Sequence, residues 1–240
     1  MPESSIVVII SANAEWSVIR QLYSPSEPQP SPYGEWFAID LDVGRQSMPV
    51  LFFHGGWGKI SAAASAQYAI DRWQPTLLIN LGTCGGFAGT IERGTIILAE
   101  RTMVYDIIEQ MFDAEEAIDF YTTVLDLSWL GEPYPHAVYR GLLLSADRDI
   151  ISAEVPTLRD RYQAVVADWE SGAIAWVGGR NATRCLILRG ITDLVGQEGG
   201  EAYQGNAQVF VDNTRVVMEF LTEHLSSWIA VSLGQTGPSQ

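Results

Sequence analysis

Two acidic patches late in the chain hold the residue types that do chemistry, Asp168-Trp169-Glu170 and Thr192-Asp193. Val165-Val166-Ala167 leads into the first and Leu186-Ile187-Leu188 into the second. Such aliphatic runs predict strands buried on both faces of a largely parallel sheet. In open α/β sheets the ligand crevice lies outside the carboxyl ends of the strands. The spacing therefore puts carboxylates from two neighbouring strand ends into one crevice, an arrangement suited to acid–base chemistry. A third motif, Gly82-Thr83-Cys84-Gly85-Gly86, closes another apolar run. Its glycines predict a tight turn whose backbone N–H groups suit an anion or a developing negative charge. Each motif has a plainer alternative: glycine for packing, Glu170 complementing a helix dipole, Asp193 capping a turn. The convergence of all three on strand ends weighs against those alternatives.

The elements that must position these groups alternate between strand and helix. Ile6–Ile10 is an apolar run ending in Ser11-Ala12-Asn13-Ala14-Glu15, a strand, turn and helix start. Residues 25–32 hold four prolines and read as a loop; residues 36–43 and 50–53 read as a hairpin. Lys59–Trp73 is an alanine-rich helix, and residues 76–81, 94–99 and 141–145 are strands. Val155–Tyr162 and a segment from Trp169 to about Trp176 read as helices, as does the long stretch 206–228. Between Tyr105 and Leu130 acidic and aromatic residues mix without a clear period. The pattern predicts one α/β domain over residues 1–232, with a polar tail at 233–240.

Composition narrows the partners. A chain of 240 residues with 47% hydrophobic content and eight Trp has ample material for one core. Its net charge of −15 argues against nucleic acid or an anionic membrane as partner. Met1-Pro-Glu-Ser-Ser5 lacks the basic residues of a secretory signal, and the apolar run after it is too short to span a bilayer. Cys84 and Cys185 read as small buried residues rather than a disulfide, which fits a reducing cytoplasm. His54, His136 and His224 are scattered and form no cluster with the cysteines, so no metal site is expected.

Five segments in order resemble the purine nucleoside phosphorylase and methylthioadenosine/adenosylhomocysteine nucleosidase superfamily. They are Ile9 to Glu15, Gly56-Trp57-Gly58-Lys59, Asn80-Leu81-Gly82-Thr83-Cys84-Gly85-Gly86, Arg93-Gly94-Thr95-Ile96-Ile97, and the pair Asp168-Trp169-Glu170 with Thr192-Asp193. The resemblance implies a single-domain fold with a mixed, partly barrel-like β-sheet flanked by helices. It also implies a small-molecule nucleoside as substrate, no metal or organic cofactor, and a homodimer or larger assembly whose neighbour closes the pocket. The segment near residues 105–120 reads first as an ordinary surface loop, with the lid as its alternative.

The resemblance further implies roles. Asp193 supplies the proton or hydrogen bond that the departing purine needs, and so must be held protonated near neutral pH. Glu170, ionised, accepts both ribose cis-hydroxyls and sits beside the oxocarbenium-like charge. Trp169 stands where the family usually has Met and is expected on the pocket wall. Thr83 lies near the nucleophile, and Gly85, Asp149, Ile150 and Thr192 complete the binding set.

Two departures bear on the reaction. An ungapped match puts Trp16 where nucleosidases carry a water-positioning glutamate, and Glu15 is one residue earlier. One step along a helix turns a side chain by about 100°, so Glu15 serves only if the turn is reshaped. Asp149 stands where an aromatic residue usually stacks on adenine, which suggests a different base or one held by polar contacts. Asn80 replaces the phosphorylase branch's arginine, leaving Arg20 as a candidate phosphate ligand. Hydrolysis is the favoured reading; phosphorolysis and non-catalytic nucleoside binding are the alternatives.

Overall fold

The computed structural model describes residues 6–25 and 27–235. The opening pentapeptide, Ser26 in the proline-rich loop, and residues 236–240 of the polar tail lie outside the described residues.

β1 (Ile6–Ile10) is buried at all five positions because it lies between two parallel neighbours. It leads through Ser11-Ala12 into α1 (Asn13–Tyr23). Beyond the two-residue β2 (Gln29–Pro30), β3 (Glu35–Val43) and β4 (Gln46–His54) form the expected hairpin. α2 (Lys59–Trp73) packs through Ala62, Ala66 and Ala69. β5 (Leu77–Phe87) and β6 (Ile96–Val104) follow. The stretch without a clear period contains the short α3 (Ala114–Phe120) and β7 (Thr122–Val124). Next come β8 (Tyr139–Ser145), α4 (Val155–Tyr162), β9 (Val166–Asp168), α5 (Ser171–Arg180) and β10 (Cys185–Gly196). The two-residue β11 (Gly199–Gly200) precedes α6 (Ala207–Glu223) and α7 (Leu225–Ser232). The expected single helix over 206–228 is thus divided at His224, and the second helix runs past Trp228.

Strand order along the sheet is β11-β10-β6-β8-β9-β5-β1-β4-β3-β2, with a further pairing of β10 to β5. That pairing closes β5, β10, β6, β8 and β9 into a barrel, from which β1, β4, β3 and β2 extend as an open wing. The sheet is mixed: β10 runs parallel to β5 and antiparallel to β6, and β9 is antiparallel to β5. The expectation of a largely parallel sheet with adjacent acidic strand ends is corrected here. β9 and β10 do not pair with each other; they flank β5 on opposite sides, and Gly85 is paired with Ala167 on one edge and Asp193 on the other. Asp193, expected at a strand end, falls inside β10 at a bulge after Ile191.

A second correction concerns the glycine motif. Residues 82–86 form no turn: they continue β5, paired with β10 along one edge and β9 along the other. The glycines serve close approach. A Cβ at Gly82 would lie 2.0 Å from the Arg189 guanidinium and 2.7 Å from the Glu15 carboxylate. At Gly85 it would lie 2.7 Å from the Ile150 side chain. Absence of a side chain therefore lets charged groups press against the middle of a buried strand.

Candidate active site

The cavity beside β5 has a volume of about 430 Å³ and is lined by all nine residues singled out from the sequence. Glu15, Thr83 and Glu170 line it together with Gly85, Asp149, Ile150, Trp169, Thr192 and Asp193.

Glu15 enters from the first turn of α1 and is 1% exposed. One carboxylate oxygen accepts the Thr83 backbone N–H at 2.6 Å and the Thr83 hydroxyl at 2.8 Å. The other accepts the Ala12 N–H at 3.1 Å, which ties the side chain back to the helix start. The Thr83 amide, read from the sequence as part of an anion nest, is thus already bonded to a carboxylate. Trp16 points the other way, into the core against His54 and Phe37. The helix turn therefore presents Glu15, not position 16, to the cavity.

Behind these groups lies Arg189, which the sequence reading passed over. It is fully buried in β10, and a buried cation requires anionic partners. Its Nε lies 3.1 Å from Asp168, its Nη2 3.5 Å from Glu170 and its Nη1 3.6 Å from Glu15. Nη2 also donates to Asn80 at 2.8 Å, and Nε to the Ser171 hydroxyl at 3.0 Å. One clue was legible: a lone arginine inside Cys185-Leu-Ile-Leu-Arg189-Gly-Ile cannot face solvent if that run is a buried strand. Asp168 proves to be an anchor. It accepts the Ser145 hydroxyl at 2.6 Å and the Ser171 backbone N–H, fixing the start of α5 while holding Arg189.

Glu170 sits at the N-cap of α5 yet makes no capping bond there; its carboxyl instead accepts the Gly58 N–H at the start of α2, 3.1 Å away. Burial pushes its pKa up to about 8, against the opposing pull of Arg189. This carboxyl is thus more readily protonated than the fully ionised group read from the sequence. Asp193, 7% exposed, is also raised by burial, partly offset by the Thr192 hydroxyl donating to it at 2.7 Å. Glu201 and Asp149 add like charge that raises it further.

The walls are aromatic. Trp169 packs on Trp57 with ring centroids 5.5 Å apart, and Tyr203 and Phe210 line the side near Asp149 and Ile150. The Tyr203 hydroxyl donates to the Ile150 carbonyl at 3.0 Å, tying the segment after β10 to the loop after β8. Trp57, Tyr203 and Phe210 were not singled out from the sequence, since scattered aromatics carry no spacing signal. Arg20 lies outside the cavity, paired with Glu35.

Comparison with known proteins adds to this geometry. A family model described as the phosphorylase superfamily matches residues 40–229. A 5′-methylthioadenosine/S-adenosylhomocysteine nucleosidase from Maridesulfovibrio salexigens is 26% identical over 230 residues, covering 89% of this chain and 98% of that protein. Among solved structures, a Helicobacter pylori nucleosidase of the same name, with butyl-thio-DADMe-Immucillin-A, has a TM-score of 0.76 at 15% identity, covering 95% of this chain and all of the other. Futalosine hydrolase from Helicobacter pylori has a TM-score of 0.74 at 16% identity, covering 93% of this chain and 98% of the other.

Proposed function

The chain belongs to the phosphorylase superfamily, and we propose that it is a purine nucleosidase: an N-ribosyl hydrolase acting on a purine nucleoside or a 5′-thio derivative of one. The observation that carries this reading is the lining of one cavity by Glu15 and Thr83, backed by Arg189, together with the raised carboxyl of Asp193.

The chemistry follows from where charge develops. As the bond from ribose C1′ to the purine nitrogen breaks, its electron pair leaves with the base and positive charge builds on the sugar. Asp193 delivers a proton to the imidazole ring of the base, and burial, which raises its pKa, favours the protonated form that this role needs. Glu170 binds the ribose hydroxyls as an ionised acceptor, its charge held by Arg189 at 3.5 Å and set beside the positive charge that develops on the sugar. Glu15 holds a water and takes the proton it loses on attacking C1′, while Thr83 and Arg189 fix the carboxylate. Trp169, Gly85, Ile150 and Thr192 wall the substrate, and Asp149 offers the base a charged acceptor in place of an aromatic stack.

Water is favoured over phosphate on electrostatic grounds. Arg189 already faces carboxyl groups of Glu15, Asp168 and Glu170. Arg148, also at the cavity, is engaged by Glu154 at 2.6 and 3.0 Å, and Arg20 by Glu35. A dianion entering there would meet more carboxyl groups than uncommitted cations.

We further read the protein as a cytoplasmic homodimer that binds neither nucleic acid nor membrane. No helix among the described residues is long and apolar enough to cross a bilayer. The exposed apolar side chains Trp57, Ile60, Ile108, Met111 and Phe112 support a second copy as the cover of this face.

The test is free-base release from methylthioadenosine, adenosylhomocysteine, adenosine, inosine and guanosine, with and without phosphate, read by chromatography. Base plus free sugar without phosphate is expected and would name the base. Release only with phosphate would replace hydrolysis by phosphorolysis, and binding without release would remove catalysis altogether.

A further inference from the structure

Glu15 and Trp16 are adjacent on α1, both are buried, and their side chains leave the helix about 100° apart. Only one of them can face Thr83, so something must set the rotation of the first turn. Its own capping is one-sided: Glu15 accepts the Ala12 N–H at 3.1 Å, but Ala12 at the N-cap has no side-chain hydrogen bond to return. The opposite face of the helix supplies the constraint. The Trp16 indole stacks on His54, centroids 5.2 Å apart and planes within 6°, and packs on Phe37 at 5.5 Å. Its Nε1–H donates to Glu35 at 2.7 Å, and Arg20, one turn further along α1, pairs with the same carboxylate oxygen. Glu35 opens β3 and is pressed against the end of β4: a Cβ on the preceding Gly34 would lie 2.6 Å from the His54 carbonyl oxygen. A single carboxylate on a fixed strand thus grips two positions, i and i+4, on one stripe of α1.

We propose that Glu35 is a positioning residue, holding α1 through Trp16 and Arg20 in the rotation that delivers Glu15 to Thr83 and Arg189. It touches no cavity group itself; its effect is transmitted entirely by the helix. The kinetic part of this inference rests on the nucleosidase reading, whereas the structural part does not.

The test is a double-mutant cycle in the full-length protein. Glu35→Ala is expected to lower kcat about tenfold with KM changed less than about twofold, since small displacements of a reacting group carry penalties of that order. Glu35→Gln, which keeps an acceptor for the indole, should restore most of the rate. In a Glu15→Gln background the Glu35→Ala change should have almost no further effect on residual turnover. An equal loss in both backgrounds, or none in the wild-type background, would overturn the proposal. Should Glu35→Ala fail to fold, Trp16→Phe keeps the ring stack but removes the donor, and the same dependence on Glu15 is expected. A crystal structure of either variant supplies the arm independent of turnover. Loss of the Glu15–Thr83 hydrogen bonds would support the role of Glu35, and their retention would refute it. Absence of base release by the wild-type protein would sink the nucleosidase reading alone.

Discussion

At the scale of single residues, the cavity separates its carboxyl groups by environment, and each is open to its own test. Asp193 has its pKa raised by burial and by the like charges of Glu201 and Asp149, against the lowering hydrogen bond from Thr192, which suits the acid role proposed for it. Activity that needs its proton should fall as pH rises through that elevated pKa, giving a basic limb in the kcat/KM profile. Asp193→Asn should lower kcat by about 10²–10⁴, the usual contribution of a general acid, while substrate still binds by calorimetry. Full turnover in that variant would remove the leaving-group role. Glu170 invites a stability measurement. Its folded pKa of about 8 lies above the ordinary glutamate value of 4.5, so between those limits the unfolded chain gives up a proton that the folded one keeps. Raising pH through that window therefore destabilises the fold at this position. Glu170→Gln, which cannot ionise, should match wild type in Tm near pH 4 and exceed it increasingly up to about pH 8, while losing turnover. A pH-independent difference in Tm would show that the burial of Glu170 sets no such pKa.

At the scale of elements, much of the site was legible because chemistry-bearing residues sat at the ends of aliphatic runs. Lys59–Trp73 and Val155–Tyr162 could be bounded from composition, and Asp168 and Glu170 flagged a strand end, whereas Asp193 lies inside its strand. The glycine motif was found but misjudged, since close approach and turning demand the same residue. Only the structure reveals that Gly82 makes room for Arg189. Its replacement is correspondingly severe: Gly82→Ala should cost about 1–3 kcal/mol or more in unfolding free energy and most of the activity, because a guanidinium and a carboxylate must both move. Wild-type stability in denaturant titrations would contradict this. The break between α6 and α7 was hidden for another reason, since no glycine or proline marks it. There His136 accepts the Trp228 indole N–H at 3.0 Å, which requires its neutral form, and burial lowers its pKa below 6.5. Below that value the unfolded chain takes up a proton that the folded one resists, so stability should drop as pH falls from about 6.5. His136→Gln should flatten that drop in Tm-against-pH curves; an unchanged slope would assign it elsewhere.

At the scale of the whole molecule, what the sequence left open is whether copies of the chain meet, because exposed apolar residues between 105 and 124 have no periodicity to reveal a common face. The fold gathers them. Lys59 pairs with Asp106, which ties the segment carrying the exposed Ile108, Met111 and Phe112 to the start of α2, where Trp57 and Ile60 are also exposed. Phe120 and Tyr121 pack on Trp176 of α5, with Val124 76% exposed beyond them. Trp57 contacts Trp169 on the cavity wall, so a partner on this face would close the site as well as cover apolar surface. Light scattering should therefore give twice the monomer mass. A variant carrying Met111→Asp and Phe112→Asp should dissociate and lose turnover at low protein concentration, regaining part of it as concentration rises. Salt separates the forces. Each copy carries a net charge of −15, so electrostatic repulsion opposes association and is screened by added ions. If the apolar face supplies the attraction, raising ionic strength should tighten the dimer. Weakening by salt would mean that the copies are joined by ion pairs, and a monomer at every salt concentration would leave the cavity open on that side.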